Sequence, residues 1–174
     1  MAPRVSQSVQ AHPVTTFYLL AFTLSWAGWV PRLAAARGVA FFASPLWQAS
    51  LILPAIGPAV AVALTMRLAR EPGGFGPRLR TWFRWRVNAR WCWFAVVAPP
   101  VLLLASRAVS RGLPYAAPVV GPPLSAWDIL VFGLMSLLAN PWEEVGWRGF
   151  ALARLQARYP AAVATLLVGV LWAA

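Results

Sequence analysis

Acid and cysteine are what this sequence has least of. Its 174 residues hold four Asp or Glu, one His and one Cys, and all fifteen basic residues are arginines, with no lysine. The lone Cys92 excludes an internal disulfide framework and any multi-cysteine metal cluster. It sits in WCWF at the start of an apolar run, where a small buried hydrophobe is the expected reading rather than a reactive thiol. Ser-x-x-Lys, Gly-rich phosphate-loop and His-Glu-x-x-His patterns are also missing. Charged residues make up 11% of the chain, against about 25% in an ordinary soluble domain. The all-arginine usage carries no functional reading of its own.

What is present is apolar sequence in long blocks, 60% of the chain by residue count. The length fits one domain, read as a polar leader over residues 1–13 and a membrane domain over 14–174. The expected fold is all-α, a polytopic membrane helix bundle of four spans plus an incomplete fifth. The first span runs from Val14 to Val30, ended by Pro31, and is a retained helix. Only Arg4 precedes it as a positive charge, and no small-x-small cleavage site follows closely. The second run, Ser44 to Met66, holds Pro54 and Pro58, which membrane helices tolerate when neighbours satisfy the freed backbone. Its small residues Gly57, Ala59, Ala61 and Ala63 allow close helix approach. Trp91–Ser106 and Ser125–Asn140 form the third and fourth runs. The fifth starts at Pro160 and, at 15 residues, is too short to cross alone.

Between the second and third runs, Pro-Gly-Gly and Gly-Pro steps signal turns. Beyond them Leu79, Trp82, Phe83 and Val87 share one helical face, with Arg78, Arg80 and Arg84 largely off it. This pattern predicts a short helix lying at the lipid headgroups. A net charge of +11 raises nucleic acid as a partner, through base stacking on the interleaved aromatics. Arginines at the ends of apolar runs are instead the membrane pattern, so the expected partner is lipid and not nucleic acid. Seven arginines between Arg67 and Arg90 make that loop cytoplasmic, and alternation outward from it gives eleven arginines inside against four outside. The expected location is the plasma membrane, with the N-terminus and the Glu143 end cytoplasmic. The Pro-rich stretch GLPYAAPVVGPP then becomes an ordered but irregular outward connector.

Two of the four acids stand side by side in NPWEEVGWRGFALARLQ, residues 140 to 156. A charge at mid-membrane costs on the order of 2.5–3.5 kcal/mol and less towards the interface, so such a pair needs work or a partner. Pro141 fits the first turn of a new helix, which puts both glutamates where negative charge is favoured, with Asn140 as the N-cap candidate. Glu144 and Arg148 are spaced for an ion pair on one face. Glu143 lies about 100° round the helix and need not share that partner. One carboxylate is then neutralised and the other free to act as a general base. Spacing alone serves a plain helix-end ion pair with a solvated neighbour equally well. His12, in the leader, is expected to be exposed, and Asp128 to cap or hydrogen-bond locally.

The segment EEVGWRG, Glu143 to Gly149, resembles the first motif, EExxxR, of the CAAX protease and bacteriocin-processing membrane proteins. This family includes the type II CAAX prenyl endopeptidases and lysostaphin-resistance-like proteins. IGPAVAVAL resembles its Gly-Pro helix, and RWRVNARWCWFAVVAPPVLLL its entry to the next span. The resemblance implies an intramembrane endopeptidase that hydrolyses membrane-associated peptides or proteins. In it Glu143 would be the general base for water, Glu144 would assist or be held by Arg148, and Arg148 would be structural. The family's later motifs, FxxxH and HxxxN or HxxxB, supply histidines that position the water or a metal, for which zinc is the candidate cofactor. Trp172 stands where the second motif's aromatic residue belongs, and its histidine would fall two positions beyond Ala174. The histidine motifs are absent from these 174 residues, so the expectation is little or no proteolysis from them alone. The alternative is a non-enzymatic immunity or scaffold protein of the same fold. A small proton-coupled transporter is disfavoured, since no second half repeats the first.

Overall fold

The computed structural model describes residues 4–82, 87–112 and 125–173. Among them the chain is helical throughout, without strands. In chain order the helices are α1 (Arg4–Ala11), α2 (Pro13–Ala36), α3 (Pro45–Gln48), α4 (Ile52–Leu68), α5 (Phe75–Trp82), α6 (Ala89–Gly112) and α7 (Ala126–Glu144). A π-helical segment (Val145–Leu152) continues α7 and leads into α8 (Ala153–Gln156), and α9 (Ala161–Trp172) follows. Two stretches, Pro45–Leu68 and Ala89–Gly112, are long and apolar enough to cross a membrane by length and composition, with mean hydropathy 1.9 and 1.7. Helices α2 and α7 are 24 and 19 residues long, and α9 is short, at 12 residues. The architecture is that of a helical membrane bundle. GLPYAAPVVGPP after its first glycine, and Phe83 with Arg84, lie outside the described residues.

Two compact units divide the chain. The larger, Met1–Trp82 with Leu130–Ala174, is organised by α2 packing against α4. Its core joins Phe17, Tyr18 and Ala21 of α2 to Ala61, Val62 and Met66 of α4. Trp147, Phe150 and Ala151 of the π segment and Val168 of α9 complete it. The Phe17 ring lies 5.2–5.3 Å from the rings of Tyr18, Trp147 and Phe150, within the range of favourable aromatic pairing. Small residues set the helix spacing as the sequence suggests: a Cβ on Gly57 would come within 3.3 Å of Leu24 Cβ. Ala59 and Ala61 are buried, while Ala63 is only partly so.

Pro31 does not end the first helix, contrary to the sequence reading. Helix α2 runs on to Ala36 with Pro31 inside it and buried. A proline removes one helical donor, a loss that neighbouring packing accommodates in membrane helices. One turn earlier the packing is tight: a Cβ on Gly28 would strike Pro54 and the Ser50 carbonyl. The Ser50 hydroxyl donates to the Gly28 carbonyl at 2.9 Å. The leader is also structured, since α1 buries Ser6 and Val9 and Gln10 donates to the Ala69 carbonyl at 2.8 Å. His12 is exposed where α1 meets α2.

On α5, Leu79 and Trp82 of the expected aromatic face are partly buried, and Val87 beyond it is exposed. Phe75 and Trp82 pack against the core, leaving Arg78 and Arg80 exposed. The turn that brings α5 there starts at Arg70, whose φ of 53° is left-handed. Glu71 N–H donates to Met66 O at 3.0 Å and Arg70 N–H to Arg67 O at 3.1 Å, which closes α4 as a Schellman motif. The reversal delivers Glu71 to a site 83 positions away in sequence, where Arg154 Nη2 donates to its Oε1 at 2.6 Å. Arg78 stands 3.5 Å from the other carboxylate oxygen. The Arg154 guanidinium also lies over the Phe150 ring at 3.6 Å, a cation–π contact.

The second unit, Phe83–Ile129, contains α6 and the start of α7. Asn88 caps α6 by accepting Arg90 N–H at 3.1 Å. Cys92 is exposed, which overturns the buried reading. Ser125 and Asp128 cap α7 reciprocally, with Asp128 N–H donating to Ser125 Oγ at 3.1 Å and Ser125 N–H to Asp128 Oδ2 at 2.9 Å. This is the capping-box pattern and the local role expected of Asp128.

Glu71 and Arg154 are each about one-fifth exposed or less, at 17% and 21%, so their bond should count for more than a surface pair. Arg154→Ala and Glu71→Gln are each expected to cost about 1–2 kcal/mol, and the double variant less than the sum. Thermal unfolding of the four proteins in detergent, read as a double-mutant cycle, checks it. Additive losses would remove the pair from the account.

Candidate functional site

Helix α7 passes through Asn140 and Pro141 without a break and gives way to the π segment only after Glu144. Pro141 therefore does not open a new helix, Asn140 is not its N-cap, and the glutamates do not occupy an N-terminal first turn. They stand at the end of a long helix where the backbone widens to i→i+5 spacing, a feature found frequently at functional sites. A proline inside a helix leaves an acceptor unpaired. The turn Pro141 was read as starting is absent because α7 absorbs it as an interior residue.

The two carboxylates have different surroundings, as their spacing allowed. Glu144 forms an ion pair with Arg148. Glu143 instead stands with Trp172 in the walls of two cavities. Glu143 and Trp172 face a cavity of about 300 Å³ shared with Asn140, Arg148 and Thr165. A second cavity, of about 440 Å³, has Glu143, Trp147 and Trp172 in its wall too, and extends along α2 and α4. Glu143 is thus the carboxylate between two cavities, half-buried, and Glu144 is the one tied to arginine.

The π segment is seated by two glycines. A Cβ on Gly146 would lie 2.5 Å from Pro58 Cβ and 3.1 Å from the Phe17 ring. One on Gly149 would lie 3.1 Å from the Trp82 indole. The motif's unspecified positions thus carry Gly146 and the buried Trp147, which sequence reasoning passed over. Their signal was a glycine in a helix otherwise rich in large side chains, a sign of close approach. Thr165 and Glu71 offered no such signal, because their partners lie far off in sequence. His12 lines neither cavity.

Among the described residues no three His, Cys, Asp or Glu side chains gather as a metal-holding group. Two adjacent glutamates, one already paired with arginine, do not make a zinc site by themselves.

Residues 125–174 match the family model described as type II CAAX prenyl endopeptidase, Rce1-like. Over that segment the chain is similar to the CAAX-protease family. The matched residues take in α7 with Glu143 and Glu144, the π segment with Arg148, and α9 with Trp172, so both sides of the first cavity fall within the CAAX-protease match. No curated protein and no solved structure matches the chain.

Gly146→Ala tests the seating of the motif. Alanine ordinarily gains about 1 kcal/mol over glycine within a helix, but overpacking a tight contact costs about 1–3 kcal/mol. The expected result is a net loss of stability, seen as a lower unfolding temperature in detergent. Gly133→Ala, in open space on α7, should show the ordinary gain. Equal behaviour of the two would refute the seating.

Proposed function

We propose that this protein is an intramembrane endopeptidase in which Glu143 is the general base that activates water. The observation that carries the reading is the division of labour between the two glutamates: Arg148 holds Glu144, while Glu143 faces both cavities. Glu143 accepts a proton from water as the water oxygen bonds to the scissile carbonyl carbon. The tetrahedral intermediate collapses, the C–N bond breaks, and the proton passes to the leaving amine. General-base catalysis of this kind contributes about 10²–10⁴-fold. Glu144 acts through its ion pair, keeping the motif turn in place, and Arg148 is structural.

The substrate under this reading is a membrane-associated peptide or protein segment that reaches Glu143 from the cytoplasmic side of the plasma membrane. The family description and the two apolar helices support a membrane setting. The arginine distribution supports an orientation with the N-terminus and the Glu143 end inside. Zinc is not assigned, since the described residues supply no ligand group for it.

The test is Glu143→Ala in the protein at its natural length, reconstituted in liposomes with membrane-associated quenched peptides. Cleavage is expected to fall by at least about 10²-fold, with membrane insertion unchanged. Glu144→Gln should lower cleavage less and should reduce the unfolding temperature slightly, as suits a half-exposed ion pair. A Glu143→Ala protein that keeps full biological effect would favour a non-enzymatic immunity or scaffold role on the same fold.

A further inference from the structure

A further cavity, of about 310 Å³, lies apart from the glutamates. Ile56, Ala59, Val60 and Ala63 of α4, Phe75 of α5 and Trp142 of α7 line it, so no charged side chain enters its wall. The small Ala59 and Ala63 leave the recess, and the larger Ile56, Phe75 and Trp142 bound it. Ile56, Val60, Ala63 and Arg67 follow one another at steps of four, three and four residues, which keeps them on one helical face. Arg67 is exposed in the last turn of α4, at the end of the apolar stretch Pro45–Leu68. Among the described residues it meets no carboxylate, because Glu71, four positions on, is held by Arg154 and Arg78.

We infer that this stripe binds an anionic phospholipid of the cytoplasmic leaflet, with an acyl chain in the recess and the phosphate at Arg67. The inference rests on the membrane orientation proposed above and is independent of the peptidase chemistry. Charge decides the occupant. A ligand here must be hydrocarbon at Val60 and Ala63 and negative one turn further on, about 6 Å along the helix axis. A phospholipid has that order of groups, and the other exposed arginines near this helix end, Arg70 and Arg80, favour a lipid with net negative charge. A partner helix, about 10–12 Å across with its side chains, would put only a side chain or two into the recess and would leave Arg67 unanswered. A hydrocarbon chain is thin enough to lie along the stripe. Its volume is also in the ligand-pocket range, which starts at about 300 Å³.

The experiment is native mass spectrometry of the natural-length protein in detergent, titrated separately with phosphatidylglycerol and phosphatidylcholine of the same chains. The wild type should bind the first phosphatidylglycerol about 5-fold more tightly than phosphatidylcholine, the scale of one arginine near a charged surface. Arg67→Gln should bring the two affinities together. Ala63→Trp, which fills the recess, should weaken both lipids by about 10-fold or more, as when a few methylenes lose their burial. Leu64→Trp, one position off the stripe and outside the recess, should behave as wild type. Size-exclusion elution reports folding, and if Ala63→Trp fails it, Arg67→Gln still decides, since its side chain is exposed. A phosphatidylglycerol preference unchanged in Arg67→Gln would overturn the inference, as would equal weakening by Ala63→Trp and Leu64→Trp. A wild type that holds no lipid and runs as a dimer would overturn it too, giving the recess to a second copy.

Discussion

The contact between Gly146 and Pro58 is the constraint on which the site depends. Helix α2 packs along α4 through Gly28 and Gly57, and the π segment meets both helices where Gly146 has no side chain to hold it off. Phe17 touches all three parties, ringed by Tyr18, Trp147 and Phe150. Apolar attraction between helices is weak in lipid, so close backbone approach and van der Waals contact must supply cohesion. A segment seated this tightly cannot rotate freely about its axis. The direction in which Glu143 points is therefore settled by a glycine three residues further on and by a proline from another helix.

With so few acids in the chain, each placement can be followed. Asp128 caps α7, Glu144 meets Arg148, and Glu71 ties the turn after α4 to Arg154. Glu143 is the carboxylate that lines both cavities. The Glu71–Arg154 bond supports that arrangement from a distance, because Arg154 lies against Phe150, the residue that anchors the π segment in the core.

Much of this was legible in the residues. Apolar blocks gave an all-helical bundle, small residues on α4 marked a close helix contact, and EEVGWRG carried the likeness that the family match over residues 125–174 supports. The Glu144–Arg148 pair followed from spacing alone. Boundaries around proline were misjudged in two places, Pro31 and Pro141, and for one reason: the local cost of a proline was taken as a stop. In a packed or apolar setting the chain has no water to receive its backbone groups, so continuing the helix past the proline is the cheaper course.

The sequence by itself determined class, periodicity and local pairings, because these depend on residues within one or two turns of each other. It determined which residues could act, by making acids so scarce that two adjacent ones stood out. Only the tertiary structure set Glu143 and Trp172 of α9 in the walls of the same two cavities. It alone joined Glu71 to Arg154 and set the α2 tryptophans opposite the α4 prolines. Those contacts are made between segments whose separation along the chain carries no information about their distance in space.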